Sequence, residues 1–329
     1  MARVLVVSLN YRTPEMTLRS LRAALGALDG VEADVVCVDN DSGDGSFEAI
    51  RDAVQSEGLD VRVIQSGHNG GFGAGNNVGI AARMADGSAP DYVYLLNSDA
   101  FPAPGAIAAL VRHMEAHPDT GIAGSRIVGE DGEPHWTAFR FPSVASELEG
   151  AARLGPITRM LEAHRVPLGV PEATRPVDWL AGASMMIRQS LLDRIGGFDE
   201  TFFLYFEETD LCLRAARAGH GTHYVCESEV MHIGSVSTGM RRWQRVPGFW
   251  LDSRWHYFSK NHGRAYAMAA TAAHVAGGLL WRLRVLLQKK PPADPAHFLR
   301  DLVKHDLNAM LRPLPATAGP QRREDHARV

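Results

Sequence analysis

An acidic segment inside an apolar run is the part of the sequence best suited to acid–base chemistry. Residues 202–206 are aromatic or aliphatic, and Glu207, Glu208 and Asp210 come directly after them. Apolar flanks favour burial, and a buried ionised carboxylate is costly unless a cation, a metal or hydrogen bonds compensate it. If the segment opens a helix, Asp210 faces Arg214 one turn later, whereas Glu208 has no such partner in sequence. The segment is therefore either a solvated, acidic helix start or a place where an unpaired carboxylate is used.

Two further residues have the chemistry of metal ligands. Asp99 follows the apolar residues 92–96, and His232 ends a second apolar run. Divalent cations prefer carboxylate oxygens, often together with phosphate oxygens and water, and imidazole suits manganese better than magnesium. The alternatives are a helix cap at Asp99 and a hydrogen-bonded core histidine at His232.

A glycine-rich segment could present backbone N–H groups to a nucleotide. Residues 69–77 read Asn-Gly-Gly-Phe-Gly-Ala-Gly-Asn-Asn, and the pattern predicts a loop that joins a strand to a helix. It is not the dinucleotide fingerprint, which follows the first strand, and the chain contains no P-loop sequence. The alternative is a flexible glycine turn capped by Asn76.

Alternating strands and helices would position these residues. Strands are predicted over residues 4–9, 35–38, 61–64 and 92–96, and helices over residues 14–28, 47–55 and 76–84. This order predicts an α/β fold with an open, mostly parallel sheet, whose ligands bind at the carboxyl ends of the strands. The polar residues at those ends are Asn10, Tyr11, Asp39, Asn40, His68, Asn69 and Asp99. Local turn chemistry could explain any one of them, but their joint placement favours a ligand site.

The remainder of the chain is less regular. A helix is predicted over residues 107–117, a strand over 121–128 and a loop-rich region over 132–170. Small residues follow Trp179, where a backbone could approach a ligand closely. The predicted organisation is a body over residues 1–240, with halves 1–100 and 101–240, a basic amphipathic helical extension over 241–311, and a disordered tail over 312–329.

Charge and cysteine content restrict the class of partner and the compartment. The net charge of −4 combines −14 in residues 1–240 (18 basic, 32 acidic) with +10 in residues 241–329 (16 basic, 6 acidic). The acidic body argues against nucleic acid as a partner, whereas the basic extension fits an anionic surface. The three cysteines show no CxxC spacing and are predicted to be buried free thiols in a reducing compartment. With neither a leader nor an apolar span predicted, we expect a cytoplasmic location.

Eight motifs in order over residues 3–240 resemble the family-2 inverting glycosyltransferases, in particular their rhamnosyltransferase-like branch. The segments that carry the resemblance are residues 6–11, 38–42, 69–77, 95–99, 179–183, 196–200 and 202–214, together with His232. The resemblance implies a GT-A fold, a nucleotide-sugar donor and a divalent metal, Mn²⁺ or Mg²⁺. It also implies a single displacement at the anomeric carbon, with one carboxylate as base.

The resemblance implies a role for each matching residue. Glu208 would be the general base, Asp99 and His232 would bind the metal, and Trp179, Gly182 and Ala183 would contact the donor or acceptor sugar. The donor nucleotide would be bound by Asn10, Tyr11, Asp39, Asn69, Gly70, Asn76 and Asn97, with Asp39 on the pyrimidine base. Two departures from the family pattern are Asn97-Ser98-Asp99 in place of two aspartates and Glu207-Glu208 in place of Glu-Asp. The choice of base between Glu208 and Glu207 therefore stays open.

The expected reaction is transfer of L-rhamnose from dTDP-L-rhamnose to a saccharide or polyprenyl-linked acceptor in surface polysaccharide or glycolipid synthesis. The alternatives are a UDP-hexose donor, a degenerate protein that binds a nucleotide sugar without transferring it, and a nucleotidyltransferase. The basic and aromatic residues of 241–311 predict peripheral contact with the inner face of an anionic membrane. The alternatives for that region are helices packed on the body or a homodimer contact.

Overall fold

The computed structural model describes residues 2–234, 243–289 and 294–312. The first part of the chain alternates strands and helices, as predicted, because its apolar runs are buried on both faces of a sheet. Its elements are β1 (Arg3–Asn10), α1 (Pro14–Gly26), β2 (Glu32–Asp39), α2 (Ser46–Glu57), β3 (Arg62–Gln65), α3 (Gly71–Ala81) and β4 (Tyr92–Asn97).

The second part of the body completes the sheet and covers its edge. Its strands are β5 (Ala100–Pro102), β6 (Thr120–Val128), β7 (Ala138–Phe139), β8 (Arg175–Val177), β9 (Trp179–Leu180), β10 (Ser184–Arg188) and β11 (Gly221–His232). Its helices are α4 (Ala106–Ala116), α5 (Val144–Ala152), α6 (Gly155–Met160), α7 (Gln189–Ile195) and α8 (Glu207–Arg217), with a 3₁₀ turn at Glu162–His164.

Across the described residues, nine strands form one sheet. Its order is β3-β2-β1-β4-β10-β6-β11-β5, and β8 also pairs with β11. The four strands β3, β2, β1 and β4 are parallel, so their carboxyl ends share one edge. Strand β10 is antiparallel to β4, with Ser184 opposite Leu96, so the start of β10 lies at that same edge. Alternate residues of β1 enter two separate cores, one on each face of the sheet.

The prediction of a loop-rich region over residues 132–170 is incomplete, because α5 and α6 lie between its irregular stretches. Helix α5 begins with a capping box between Ser143 and Ser146. Its small buried residues Ala151 and Ala152 allow a close contact with a later helix. Pro156 falls in the first turn of α6, where the ring does not remove a helical hydrogen bond.

The three cysteines are free thiols, as predicted. Cys37 and Cys212 are buried, and burial raises the pKa of each thiol to about 12. The prediction of burial is wrong for Cys226, which is only partly buried and donates from Sγ to the carbonyl of Pro171.

Three helices follow the body, namely α9 (Gly248–His262), α10 (Arg264–Gln288) and α11 (Phe298–Leu311). They share an apolar core with Phe202 of the body through Trp255, Phe258 and Ala270. Within the described ranges, no helix combines the length and the apolarity that crossing a bilayer demands. The predicted disordered tail lies outside the described residues from position 313 onward.

A buried ion cluster joins these helices to α5. Arg254 is almost fully buried, and its guanidinium contacts Glu147 at 2.9 Å and Asp306 at 3.1 Å. Burial raises the pKa of Glu147, but Arg254 and His274 outweigh that effect and bring it down to about 2. Arg254 lies between the two carboxylates and holds Glu147 in its ionised form. The sequence left both membrane contact and packing on the body open for this region, and the structure packs Arg254 in the protein interior.

Replacing this arginine tests whether the helices and the body form one cooperative unit. We expect Arg254→Met to lower the free energy of unfolding by about 3–5 kcal/mol, because two carboxylates would stay buried without their cation. Urea unfolding of the full chain measures this loss. Arg282→Met, at an exposed arginine of α10, is the matched control and should change stability by less than about 0.5 kcal/mol. A similarly small loss for both variants would contradict the assignment.

Candidate active site

The ends of β1 and β2 form a buried hydrogen-bonded floor. Asn10 and Asp39 are register partners, and Asn10 Nδ2 donates to Asp39 Oδ1 at 2.7 Å. Ser42 donates to the same oxygen from Oγ at 2.6 Å, and its backbone N–H donates to Asp39 Oδ2 at 3.1 Å. Asn10 and Asp39 are both fully buried, whereas Tyr11 beside them is half-buried. The structure therefore brings these three predicted nucleotide-binding residues together, with Tyr11 the more accessible.

The glycine-rich segment is mainly helical, which corrects the predicted helix start at residue 76. Helix α3 begins at Gly71, and Gly75 and Gly79 lie inside it. A Cβ built on Gly75 would lie 2.5 Å from Leu9 Cδ1, and one built on Gly79 would lie 2.2 Å from Val7 Cγ1. The missing side chains therefore let α3 lie directly on β1.

Hydrogen bonds connect the residues at the start of α3. Asn69 Oδ1 accepts hydrogen bonds from Asn40 Nδ2 at 3.1 Å and from the Gly71 N–H at 3.0 Å. Gly70 lies between them and is half-buried. Asn76 does not cap the helix, since it is buried within it and donates to the Phe72 carbonyl one turn earlier, at 2.9 Å.

Gly71 also fixes the loop that leads to the acidic pair. Its φ is +90°, and a Cβ there would lie 1.8 Å from the carbonyl oxygen of Phe203. That carbonyl accepts the N–H of Phe72 at 3.0 Å. Tyr205 and Phe206 then adopt left-handed φ angles of 70° and 69°, at a typical cost of about 1–3 kcal/mol each. The strained turn directs the chain into α8, which begins at Glu207.

Glu207 and Glu208 are adjacent in sequence but have different surroundings. Glu207 is 1% exposed, and its Oε2 has no hydrogen-bond partner among the described residues. Glu208 is half-buried, and its Oε1 accepts the N–H of Gly182 at 3.2 Å. A Cβ on Gly182 would lie 2.7 Å from that oxygen, so glycine leaves room for the carboxylate.

Burial raises the pKa of both carboxyl groups. For Glu207 the pKa is raised well above its ordinary value, first by burial and then by the charge of Glu208. For Glu208 burial also raises the pKa, while backbone N–H groups, including that of Gly182, oppose the rise. Backbone N–H groups also oppose the rise in pKa at Glu207, but the charge of Glu208 adds to the effect of burial there, so ionisation is opposed more strongly at Glu207 than at Glu208.

Asp210 has the structural partner that its spacing predicts. Arg214 Nε contacts Asp210 at 2.8 Å. Lys260 contacts the same carboxylate at 2.8 Å, and Asn261 Nδ2 donates to it at 2.9 Å. Burial raises the pKa of Asp210, but Lys260 leads the opposing contributions and the net shift is downward. Sequence reasoning missed Lys260 and Asn261, because they come from α9, about fifty residues along the chain.

Asp99 and His232 meet where β5 pairs with β11. His232 lies opposite Ala100 in the antiparallel register, and its Nε2 is 3.0 Å from Asp99 Oδ1. Adjacent ligands of an octahedral ion, each about 2.1 Å from it, are separated by roughly 3 Å. Among the described residues, no group of three or more His, Cys, Asp or Glu side chains is arranged to hold a metal. The 3.0 Å contact is a direct hydrogen bond between the two side chains, and the same spacing would suit two ligands of one ion whose other ligands were substrate oxygens and water.

The predicted sugar-contacting segment connects Glu208 to the end of β4. The Gly182 N–H is bonded to Glu208, and the next residue, Ala183, accepts the N–H of Asn97 at 3.1 Å. Trp179 lies apart from these contacts. Its ring stacks on Phe139 at 4.2 Å, so one face is already covered.

The sequence matches known glycosyltransferases. The model of the family described as "Glycosyl transferase family 2" matches residues 4–196. The chain is 35% identical over 245 residues to the N-acetylglucosaminyl-diphospho-decaprenol L-rhamnosyltransferase of Mycobacterium tuberculosis, covering 71% of this chain and 77% of that protein. It is 30% identical over 168 residues to the rhamnosyltransferase WbbL of Escherichia coli, covering 49% of this chain and 60% of that protein.

Solved structures share the architecture. The mannosyltransferase PcManGT from Pyrobaculum calidifontis, in complex with GDP-Man and Mn²⁺, has a TM-score of 0.53 at 15% identity, covering 94% of this chain and 87% of that chain. GalNAc-T7 with UDP, GalNAc and Mn²⁺ has a TM-score of 0.57 at 14% identity, covering 93% of this chain and 55% of that chain. These likenesses confirm the predicted GT-A fold.

The buried carboxyl group of Glu207 should make stability depend on pH. Its pKa in the folded protein is raised, so it is neutral in both states at low pH and costs stability as pH rises above the unfolded value. The cost grows by about 1.4 kcal/mol per pH unit up to the folded pKa. Glu207→Gln should therefore stabilise the protein more at pH 8 than at pH 5.

Urea unfolding at the two pH values measures this difference. Glu48→Gln, at an exposed glutamate of α2, is the control and should behave alike at both. Equal effects of Glu207→Gln at pH 5 and pH 8 would show that Glu207 ionises as freely in the folded chain as in the unfolded one.

Proposed function

The chain belongs to glycosyl transferase family 2, in its rhamnosyltransferase-like branch, and from this premise we propose that it transfers L-rhamnose from dTDP-L-rhamnose with inversion. The observation that carries the proposal is the placement of Glu208. This carboxylate is half-buried, has a backbone donor, and is joined through Gly182 and Ala183 to the strand end that precedes Asp99. One base and one cation site at a common sheet edge are what a single displacement requires.

Glu208 is proposed as the base that removes the proton from the acceptor hydroxyl. Its raised pKa brings it nearer to neutral pH, where a general base is most effective. Glu207 is a poorer candidate, because a group that is 1% exposed does not reach an acceptor without a rearrangement. We assign Glu207 the role of a neutral neighbour whose burial keeps the negative charge on Glu208.

Asp99 and His232 are proposed to hold Mn²⁺ or Mg²⁺, with Asn97 close by on β4. Their separation of 3.0 Å supports the assignment. A bound divalent ion supplies charge stabilisation for a departing diphosphate. Both solved structures named above contain Mn²⁺.

The nucleoside is proposed to bind at the ends of β1 to β3. Asn10 and Asp39 form the floor of the pocket, and Tyr11 is the accessible side chain at its border. Asn69 and Gly70 would border the diphosphate side, next to the start of α3. Asn76 contributes less directly, through its bond to Phe72 within the helix.

The acceptor is proposed to be a polyprenyl-diphosphate-linked saccharide used in surface polysaccharide synthesis, reached at the inner face of the cytoplasmic membrane. The support is the M. tuberculosis relative, whose name specifies an N-acetylglucosaminyl-diphospho-decaprenol substrate. The second candidate function is the same transfer from a UDP-hexose, favoured by the UDP in the GalNAc-T7 structure.

A donor panel tests the proposed reaction. The purified chain, with Mn²⁺ and a polyprenyl-linked N-acetylglucosamine acceptor, should release dTDP from dTDP-L-rhamnose and yield a product heavier by one deoxyhexose. Asp99→Ala should lower this rate on the order of 100-fold, because the charge on the leaving diphosphate loses its cation. Asp60→Ala, at an exposed aspartate before β3, is the control and should leave the rate unchanged.

The other outcomes separate the alternatives. Product from a UDP-hexose alone would refute the assigned donor and retain the enzyme class. Binding of dTDP-L-rhamnose without product from any donor or acceptor would favour a degenerate binding protein.

A further inference from the structure

The second half of α10 extends beyond the packed body. Near Gly277 and Gly278 the helix is pressed against two others. A Cβ on Gly277 would lie 2.6 Å from the Leu148 carbonyl of α5, and one on Gly278 would lie 2.8 Å from Leu299 of α11. After this contact, residues 279–289 include no buried residue. The ten helical residues 279–288 span about 15 Å, so this end of α10, together with Lys289 directly after it, forms a ridge, here called the leucine ridge.

One face of the leucine ridge is apolar and uncovered. Its five leucines are between 41% and 77% exposed. At about 100° per residue they fall within an arc of roughly 120°, on the side of the helix opposite Trp281 and Val285. These residues are Leu279, Leu280, Leu283, Leu286 and Leu287.

Cations border this apolar arc on both sides. Arg282 and Lys289 are exposed along one side. Arg284 lies along the other, where its guanidinium donates to the Arg153 carbonyl at 2.7 Å. The sequence contains no Asp or Glu between Asp252 and Asp294. The ridge therefore combines an apolar face with cations on both sides and no acidic side chain.

We propose that the leucine ridge docks the protein on an anionic lipid surface, lying in the plane of the interface. An apolar arc with flanking Arg and Lys is the arrangement that inserts leucines at the acyl boundary while the cations reach the headgroups. A second copy of this chain is a less suitable partner for the leucine ridge. A two-fold contact would set this positive border against itself, with no carboxylate on the ridge to offset it.

Several basic residues of the helical extension are paired with carboxylates within the protein. Arg254 lies in the buried cluster with Glu147, and Lys260 binds Asp199 and Asp210. Arg245 pairs with Asp301. These three cations are engaged within the protein, and we therefore place the proposed membrane contact at residues 279–289.

Vesicle co-sedimentation of the full chain tests the proposal without any sugar-transfer assay, so its outcome is independent of the proposed reaction. The probes are vesicles of phosphatidylcholine alone and vesicles of equal parts phosphatidylcholine and phosphatidylglycerol. We expect binding to the anionic vesicles and at least tenfold weaker binding to the neutral ones. Leu283→Gln/Leu286→Gln should weaken binding to anionic vesicles at least tenfold, since two inserted side chains become polar. Arg282→Gln/Lys289→Gln should weaken it about fivefold per cation removed.

Leu307→Gln/Leu311→Gln is the matched control, because it changes two exposed leucines on α11, whose end contacts the opposite end of α10 through Arg264. It should bind as the parent does, and all variants should keep the parent's unfolding midpoint. The proposal is overturned if the parent does not bind anionic vesicles or if the ridge variants bind them as tightly as the parent does. It is also overturned if Leu283→Gln/Leu286→Gln converts a dimer to a monomer by light scattering while vesicle binding is unchanged.

Discussion

A carboxylate stays ionised inside a protein only where a cation or hydrogen-bond donors compensate its lost hydration. The three acidic residues at the start of α8 differ in this compensation. Asp210 receives Arg214, Lys260 and Asn261 and is held charged. Glu208 receives one backbone N–H and partial exposure. Glu207, with neither a cation nor exposure, is held towards the neutral form. Neighbouring carboxyl groups thus differ in how strongly their surroundings oppose ionisation.

The elements around α8 give these three carboxyl groups their different surroundings. Glycines in α3 let that helix contact the sheet. The missing side chain of Gly71 leaves room for the Phe203 carbonyl, which accepts the Phe72 N–H and positions the chain that leads into α8. The C-terminal helices supply Lys260 to Asp210 and are themselves joined to α5 through Arg254. The helical extension is therefore part of the framework of the site, while residues 279–289 at the outer end of α10 include no buried residue.

Much of the fold could be predicted because it depends on local pattern. Short apolar runs that alternate with segments of helical spacing predicted strands β1 to β4. Parallel pairing of these strands then placed their polar carboxyl ends at one edge of the sheet. The i+4 spacing likewise gave the contact of Asp210 with Arg214. Other features depended on partners distant in sequence. Gly71 to Gly75 suggested a loop, yet tertiary packing on β1 makes them helical, and α5 is an alanine-rich helix stabilised by α10. Lys260 carries no local signal of its contact with Asp210, and Asp99 and His232 were paired in advance only by resemblance.

Glu208 is proposed to act as the base, with Glu207 as its neutral neighbour. Steady-state transfer by Glu208→Gln and Glu207→Gln, each with donor affinity measured by calorimetry, tests this division of roles. We expect Glu208→Gln to lower kcat by about 10²–10⁴-fold with an unchanged donor Kd, and Glu207→Gln to stay within tenfold of the parent. A loss confined to Glu207→Gln, or equal activity of Glu208→Gln and the parent, would contradict it.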